Sequence, residues 1–359
     1  MIAGRLKVAR AASGMSLRVL EEKIGRVVTA QAIGKYERGE AMPGSKALIA
    51  LARALDVSED YLLADEDLVL EGVEFRKKKI AARKAEARVK AKLLRDLERY
   101  LVVEELLGLP SVNWDRPRQA PYPVAIDVLE ADRAARNLRS AWRLGTDPIP
   151  NLVELLEERG IKVLMIDVDD IDGLIARVSR RGCPATPVVV VNPSHTGERQ
   201  RFTIAHELGH LVLDVSPKLK EEDAAYRFAG AFLMPAEVLW SEIGKRRSSI
   251  SIGELVDLKV LFGASVQAVT HRCKDLGIIG PTLYSNLFKE FSDRGWRHPP
   301  YEEPEPLPAE KSTRFERLCF RALAEDVISE SRTAELLGTS VRELDRRMEL
   351  PATSSGQMA

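Results

Sequence analysis

The string RFTIAHELGHLVLD, residues 201–214, constrains the fold of this chain more than any other stretch. Its apolar residues recur at helical spacing. On a helix His206 and His210, at i and i+4, project their imidazoles from one face. Two ligands of one tetrahedral zinc ion need that spacing. Glu207 lies beside them, placed to act as general base on an activated water. Gly209 leaves room near the same face for a close approach. The string also has a plainer reading, a helix with two satisfied histidines. Chance produces it in on the order of one in a hundred chains, so a third ligand has to decide.

A zinc hydrolase site takes three protein ligands and keeps a fourth position open. Residues 221–235, EEDAAYRFAGAFLMP, have helical spacing up to Pro235. Glu222, Ala225, Ala229 and Phe232 share one face, otherwise small and apolar. A carboxylate on an inward face is costly unless it is paired or metal-bound, which makes Glu222 the expected third ligand. Glu221 and Asp223 point elsewhere, toward solvent, and are the fallback ligands. His271 reads as a transition-state aid or a structural helix residue, and His195 and His298 as loop residues. Cys183, Cys273 and Cys319 form neither a disulfide framework nor a zinc-finger spacing and read as buried thiols.

At 359 residues the chain is too long for one compact domain. Its 54 Lys and Arg balance 54 Asp and Glu, which taken whole speaks against a nucleic-acid binder. The balance sums unlike parts. Residues 75–99 hold eleven basic residues against three acids, a net of +8, and residues 65–74 hold five acids and no base. Residues 75–108 read as one long helix with an apolar stripe at Val89, Leu93, Leu97 and Leu101. Contact with DNA phosphates, dimerisation and a solvated rod are all open to it. Pro299–Pro308 reads as an extended acidic linker.

Between these breaks, helices are expected over 124–144 and 151–159, and strands at Lys162–Asp167, Leu174–Val178 and Val188–Asn192. Helices return from Gln200 onward, an α+β layout. Over Phe315–Met348, SRTAELLGTSVRELDRRM has a helix-turn-helix rhythm, but acidic neighbours favour an interaction role. No apolar run approaches the roughly 20 residues of a membrane span, and no hydrophobic stretch follows Met1–Arg10. The chain therefore reads as cytoplasmic and reduced, without a membrane or signal segment.

Residues 4–63 divide into five short helices: Arg5–Ser13, Leu17–Ile24 capped by Ser16, Ala30–Glu37 capped by Thr29, Ser45–Leu55 and Ser58–Leu63. The second and third, joined by a tight turn, have the helix-turn-helix layout. Ala32, Ile33 and Tyr36 are expected inward, with Ala30, Gln31, Gly34 and Lys35 outward. Gln31 suits an adenine edge, and Lys35 a guanine or a phosphate. Arg18 and Arg38, with the Ser16 and Thr29 hydroxyls, suit phosphates. A small helical bundle with a solvated face is the plain alternative.

Over nearly this whole segment, and most of all in AIGKYERGE and the P…L..LA.AL.VS.DYLL pattern after it, the sequence resembles the XRE (phage Cro/C1-type repressor) helix-turn-helix family. Arg18 stands where that family usually has Gln, and GRVVT makes a longer turn than usual. RQRFTIAHELGHLVLD with the later E..A..FAGAFLMP resembles the ImmA/IrrE family of zinc metallopeptidases, over about residues 124–300. GWRHPPYEEPEP resembles members that also carry an XRE domain. The first resemblance implies a double-stranded DNA operator. The second implies Zn2+ held by His206, His210 and Glu222, a catalytic Glu207, and a protein substrate such as a repressor.

The expected chain is multidomain. It has an all-α helix-turn-helix domain (1–65), a basic linker helix (66–110) and an α+β zincin-like metallopeptidase domain (111–300). An acidic proline-rich linker and small helical tail (301–359) follow. The expected function is a homodimeric DNA-binding regulator with a zinc-dependent endopeptidase module, acting on stress or mobile-element genes. The alternatives are a non-enzymatic repressor whose peptidase-like domain senses a ligand or binds a partner, and the antitoxin of a toxin pair.

Overall fold

The computed structural model describes residues 2–63, 68–74, 83–109, 113–124, 127–167, 172–180, 185–298 and 302–349. Its first segment is helical: α1 (Ile2–Ala12), α2 (Leu17–Lys23), α3 (Ala30–Glu37), α4 (Ser45–Leu55) and α5 (Glu59–Leu63). The expected caps form. The Ser16 hydroxyl accepts the Val19 N–H and the Thr29 hydroxyl accepts the Ala32 N–H, each at 3.2 Å. Leu6, Leu20, Ile33, Leu51, Leu55 and Leu62 close a core of their own. Between α2 and α3 the chain turns through Gly25 (φ 64°) and Arg26 (φ 56°), so the lengthened turn is absorbed by two successive left-handed residues.

The remainder of the chain is mixed, as the alternation of patterns implies. Its elements are β1 (Leu68–Glu74), α6 (Arg83–Leu106), β2 (Tyr122–Val124), α7 (Val128–Ala141), α8 (Leu152–Glu158), β3 (Lys162–Met165), β4 (Gly173–Arg180) and β5 (Thr186–Val191). Then come α9 (Gly197–Val212), β6 (Leu213–Val215), α10 (Glu221–Leu233), α11 (Ala236–Ile243), α12 (Ile252–Phe262), α13 (Val266–Asp275) and α14 (Pro281–Asp293). The sheet has the order β1-β4-β5-β3, with β4 antiparallel to both neighbours and β3 parallel to β5. Strand alternation sorts its side chains into two layers. Val163, Ile175, Val189 and Val191 face α8 and α9, while Leu164, Leu174, Ala176, Val178, Val188 and Val190 face α6.

Three expectations for the connecting segments need correction. The span 66–110 is not a linker helix alone, because residues 68–74 form a strand and the helix described is Arg83–Leu106; residues 75–82 lie outside the described residues. The Val89, Leu93, Leu97 and Leu101 stripe is buried on the sheet, so it is neither a dimer seam nor a solvated rod. Arg5 of α1 pairs with Glu98 of α6 and stacks over Tyr61, which seats the first domain on this helix.

The proline-rich segment is likewise no free linker. Residues 302–311 cross the mixed domain as a strap, with the Glu303 and Glu310 carboxylates turned inward and Glu302 and Glu305 exposed. Lys259 Nζ lies 2.7 Å from Glu198 and 3.2 Å from Glu303, and Glu303 also accepts the Val266 N–H at 2.9 Å. Arg201 pairs with Glu310 at 2.6 Å and donates to the Ile149 and Gly263 carbonyls. Gly197 faces the Pro308 carbonyl with no space for a side chain. Sequence alone shows acids and prolines; the buried cations that receive them come from distant helices.

The tail folds as α15 (Arg314–Ala324), α16 (Glu330–Leu337) and α17 (Val341–Glu349). It is bound on several sides. Arg317 donates to Glu154 at 2.6 Å, Ser312 to Glu157 at 3.0 Å, and Phe315 stacks on Tyr100. Ser58 of the first domain donates to Glu335 of α16. Cys273 and Cys319 are buried thiols, as expected, and burial pushes each pKa up to about 12; Cys183 lies outside the described residues. No helix among the described residues is long and apolar enough to cross a membrane.

Asp132 of α7 ties three helices together through Arg227 Nε at 2.9 Å and Arg272 at 2.5 Å. Burial opposes its charge, but the hydrogen bonds and charges of Arg272 and Arg227 outweigh it and hold the carboxyl below the usual range. Asp132→Ala leaves two buried guanidinium groups short of a partner and is expected to cost about 3–5 kcal/mol by urea unfolding. The wild-type contribution is complete above the unfolded pKa of about 4 and is lost as pH falls through the lowered folded value. Asp132→Asn should flatten that acid limb.

Candidate metal centre and nucleic-acid interface

The centre is built where α9 crosses α10. A Cβ added to Gly209 would lie 3.1 Å from Phe228 Cδ1 and 3.4 Å from Ala225 Cα. The absent side chain thus lets the two backbones approach. Ala225, Ala229 and Phe232 are buried on the inward face, and Glu222 follows them toward α9.

His206, His210 and Glu222 converge, each offering one ligand atom within 4.8 Å of the others. The two Nε2 atoms are 3.2 Å apart. Glu222 Oε2 is 3.5 Å from His206 Nε2, and its Oε1 is 3.7 Å from His210 Nε2. A tetrahedral zinc ion with bonds of about 2.0–2.2 Å sets its ligand atoms about 3.3–3.6 Å apart. Two imidazole nitrogens facing each other beside a carboxylate are a donor set that fits such a cation. Glu222 is half-buried, and Asp223 is exposed along the cleft.

Glu221 has a place that its exposure hides. Its Oε1 lies 3.0 Å from His210 Nδ1. A ring that donates Nδ1–H to this carboxylate carries its lone pair on Nε2, toward the centre. The readable signal was the doubled Glu221–Glu222 at the start of α10. His206 is buried under the Tyr226 ring, 4.4 Å between centroids, and Tyr226 stacks on Phe202. Glu207 is 1% exposed. Gly173 is the first residue of β4, and a Cβ there would come within 3.5 Å of Glu207 Oε1.

A cleft of about 710 Å³ opens beside the centre, lined in part by Phe202, Thr203, His206, Tyr226, Ala268 and His271. His271 thus shares the cleft with His206, its ring 3.0 Å from Tyr284 Oη. His195, expected in a loop, is half-buried with Nε2 3.6 Å from Asp172, and His298 is exposed. Tyr226 was not singled out from sequence, since an aromatic residue at helical spacing reads as core.

On the first domain, Gln31 and Lys35 stand exposed on α3, and Arg18 stands exposed on α2. The Ser16 and Thr29 oxygens serve as caps, which leaves each hydroxyl proton to donate outward. Ala30 is half-buried, its N–H given to Glu21 at 3.1 Å. Arg38 is exposed and bonded to Glu40 at 2.6 Å, so a phosphate would have to replace that partner. Gly34 is buried, against expectation. A Cβ there would meet Arg38 at 3.2 Å and Leu17 at 3.5 Å, so Gly34 sets the packing of α3 against α2 and presents no face to a ligand. Ile33 is fully buried, with Tyr36 packed beside it.

Residues 6–62 match the helix-turn-helix family, and residues 156–274 match the Peptidase M78 family, described as the IrrE N-terminal-like domain. Over 63 residues the chain is 41% identical to the SPbeta prophage-derived uncharacterized HTH-type transcriptional regulator YonR of Bacillus subtilis (strain 168). That match covers 18% of this chain and 56% of the relative. No solved structure matches the chain.

Zinc affinity, read by competition with a chromogenic chelator, tests the assignment. Glu221→Ala is expected to weaken zinc binding about 10–100-fold. Glu222→Ala, which removes the candidate ligand, should weaken it further, with the helical circular dichroism of both variants unchanged.

Proposed function

We propose that this chain, which joins an XRE-type helix-turn-helix domain to an IrrE-like peptidase domain, is a cytoplasmic DNA-binding regulator with a zinc-dependent endopeptidase centre. Residues 1–65 read DNA, and residues 111–300 carry the chemistry. The observation that carries this reading is the convergence of His206, His210 and Glu222 beside a buried Glu207, with His206 lining a cleft.

His206, His210 and Glu222 hold the ion, and Glu221 fixes the His210 ring. When bound, Zn2+ supplies a Lewis acid that polarises the scissile carbonyl and acidifies water. The Glu207 carboxylate takes the proton of the attacking water and returns it to the departing amide nitrogen. Its burial keeps bulk water from competing for that proton. Phe202 and Tyr226 line the approach and hold the peptide against the His206 side of the cleft. The substrate is a protein partner, a repressor being the case that fits a regulator of stress or mobile-element genes.

At the other end, Gln31 and Lys35 reach base edges. Arg18, Arg38 and the Ser16 and Thr29 hydroxyls position the helix on phosphates. A homodimer on a two-fold operator gives two such helices the spacing of one helical turn.

Glu207→Gln separates the parts. Zinc content and operator binding should match the wild type while cleavage of the co-expressed partner disappears; cleavage that persists in this variant overturns the peptidase reading. Gln31→Ala should lose about 1–3 kcal/mol of base discrimination, and Lys35→Ala should weaken binding to all sequences and lower the salt slope by about one. Fluorescence titrations across a salt series measure both.

A further inference from the structure

The sheet has two outer positions. β3 occupies one, and β4 would occupy the other were it not covered by β1. β4 is also the strand that ends against the candidate general base, through Gly173 and Glu207 Oε1. β1 pairs with it antiparallel, from Leu68 opposite Arg180 to Glu74 opposite Ile175. The chain therefore enters at the far end of β4 and runs toward the end that abuts Glu207.

The origin of β1 is unusual for a strand that completes a catalytic sheet. It lies outside both matched regions, 6–62 and 156–274, and only residues 64–67 separate it from α5 of the DNA-reading domain. Its pairing is short and irregular, with a register shift between Glu71 and Val73 around Gly72. A bulge with a glycine weakens a ladder. An open strand edge accepts extended chains through backbone hydrogen bonds, with little demand on sequence. A polypeptide laid along β4 toward Glu207 needs the N–H and C=O groups that β1 now holds, so the two exclude each other.

We propose that the outer edge of β4 docks an extended peptide as an added strand, and that residues 68–74 are its resident occupant, which must leave before a substrate can lie there. That the incoming chain is a substrate rests on the peptidase reading; the exchange of strands does not. The tether gives β1 a high effective concentration at the edge, so a free peptide of the same sequence competes poorly with it. The strand thus acts as an internal competitor, placed next to the DNA-reading domain.

The test uses the full chain with residues 68–74 replaced by a Gly-Ser segment of equal length. Amide hydrogen exchange of residues 173–180 is followed by mass spectrometry. Binding of a fluorescein-labelled peptide, acetyl-LVLEGVE-amide, is followed by anisotropy. The replacement is expected to remove protection from the β4 amides that face β1, while those bonded to β5 keep theirs, and the added peptide to restore it. The peptide should bind the replaced chain at least about tenfold more tightly than the wild type.

A second variant, Leu70→Cys with Val178→Cys, joins register partners and guards against misfolding of the first. Oxidised, it should refuse the peptide; reduced, it should behave as wild type. Unchanged β4 protection on replacement, equal peptide binding by replaced and wild-type chains, or peptide binding by the oxidised lock overturns the proposal. None of these readouts requires zinc or cleavage, so a failure here and a failure of the peptidase reading are told apart.

Discussion

The close crossing of α9 and α10 at Gly209 is the contact on which the rest of the site depends. Two histidines come from one helix and the carboxylate from the other, and only the missing side chain lets Ala225 and Phe228 come near enough to bring them together. Any larger residue at 209 would push α10 away by a few tenths of an ångström or force Phe228 to shift. Ligand atoms whose spacing must match metal bonds to a fraction of an ångström tolerate little of that.

Buried charge holds this crossing in place from both sides. Asp132 fixes α10 and α13 through Arg227 and Arg272, while Glu198, Lys259 and Glu303 pin the start of α9 to the strap. Such pairs are costly to bury and strongly destabilising to break, so the frame behind His206, His210 and Glu222 is stiff. The same device fastens α6 to the sheet at Lys162 and Glu104, both nearly without exposure, where α6 meets β3. The neutral total of 54 against 54 reflects many of these internal pairings as well as a basic helix offset by acidic loops.

Much of the site was legible in the sequence because its parts are local. The i, i+4 spacing of His206 and His210, and the inward face shared by Glu222 with Ala225, Ala229 and Phe232, follow from helix geometry alone. Glu221 is exposed, as helical phase requires, but its role was missed for the same reason: only the approach of His210 from another helix gives its carboxylate a partner at 3.0 Å. Gly34 was misplaced because the absence of a side chain removes it from any hydropathy pattern, while the contact it permits with Leu17 lies across a turn. Residues 68–74 were taken into a linker because the short apolar LVL and its glycine sit between an acidic run and a basic helix, and residues 302–311 because acidic, proline-rich runs resemble linkers until their partners are known.

By itself the sequence determined the two motifs and their order along the chain: a capped helix pair with Gln31 and Lys35 outward, then a helix bearing His206, Glu207 and His210. Those follow from periodicity, caps and ligand spacing, which act over a few residues. Only the tertiary structure decided that β1 covers β4, that α6 lies on the sheet, that the strap crosses the mixed domain, and that the tail meets both that domain and the first. The reason is physical. Backbone edges and buried ion pairs are satisfied by whatever group folding brings near, and the residues that meet here, such as Glu303 with Lys259 or Arg5 with Glu98, lie tens of positions apart with no local signal of their pairing.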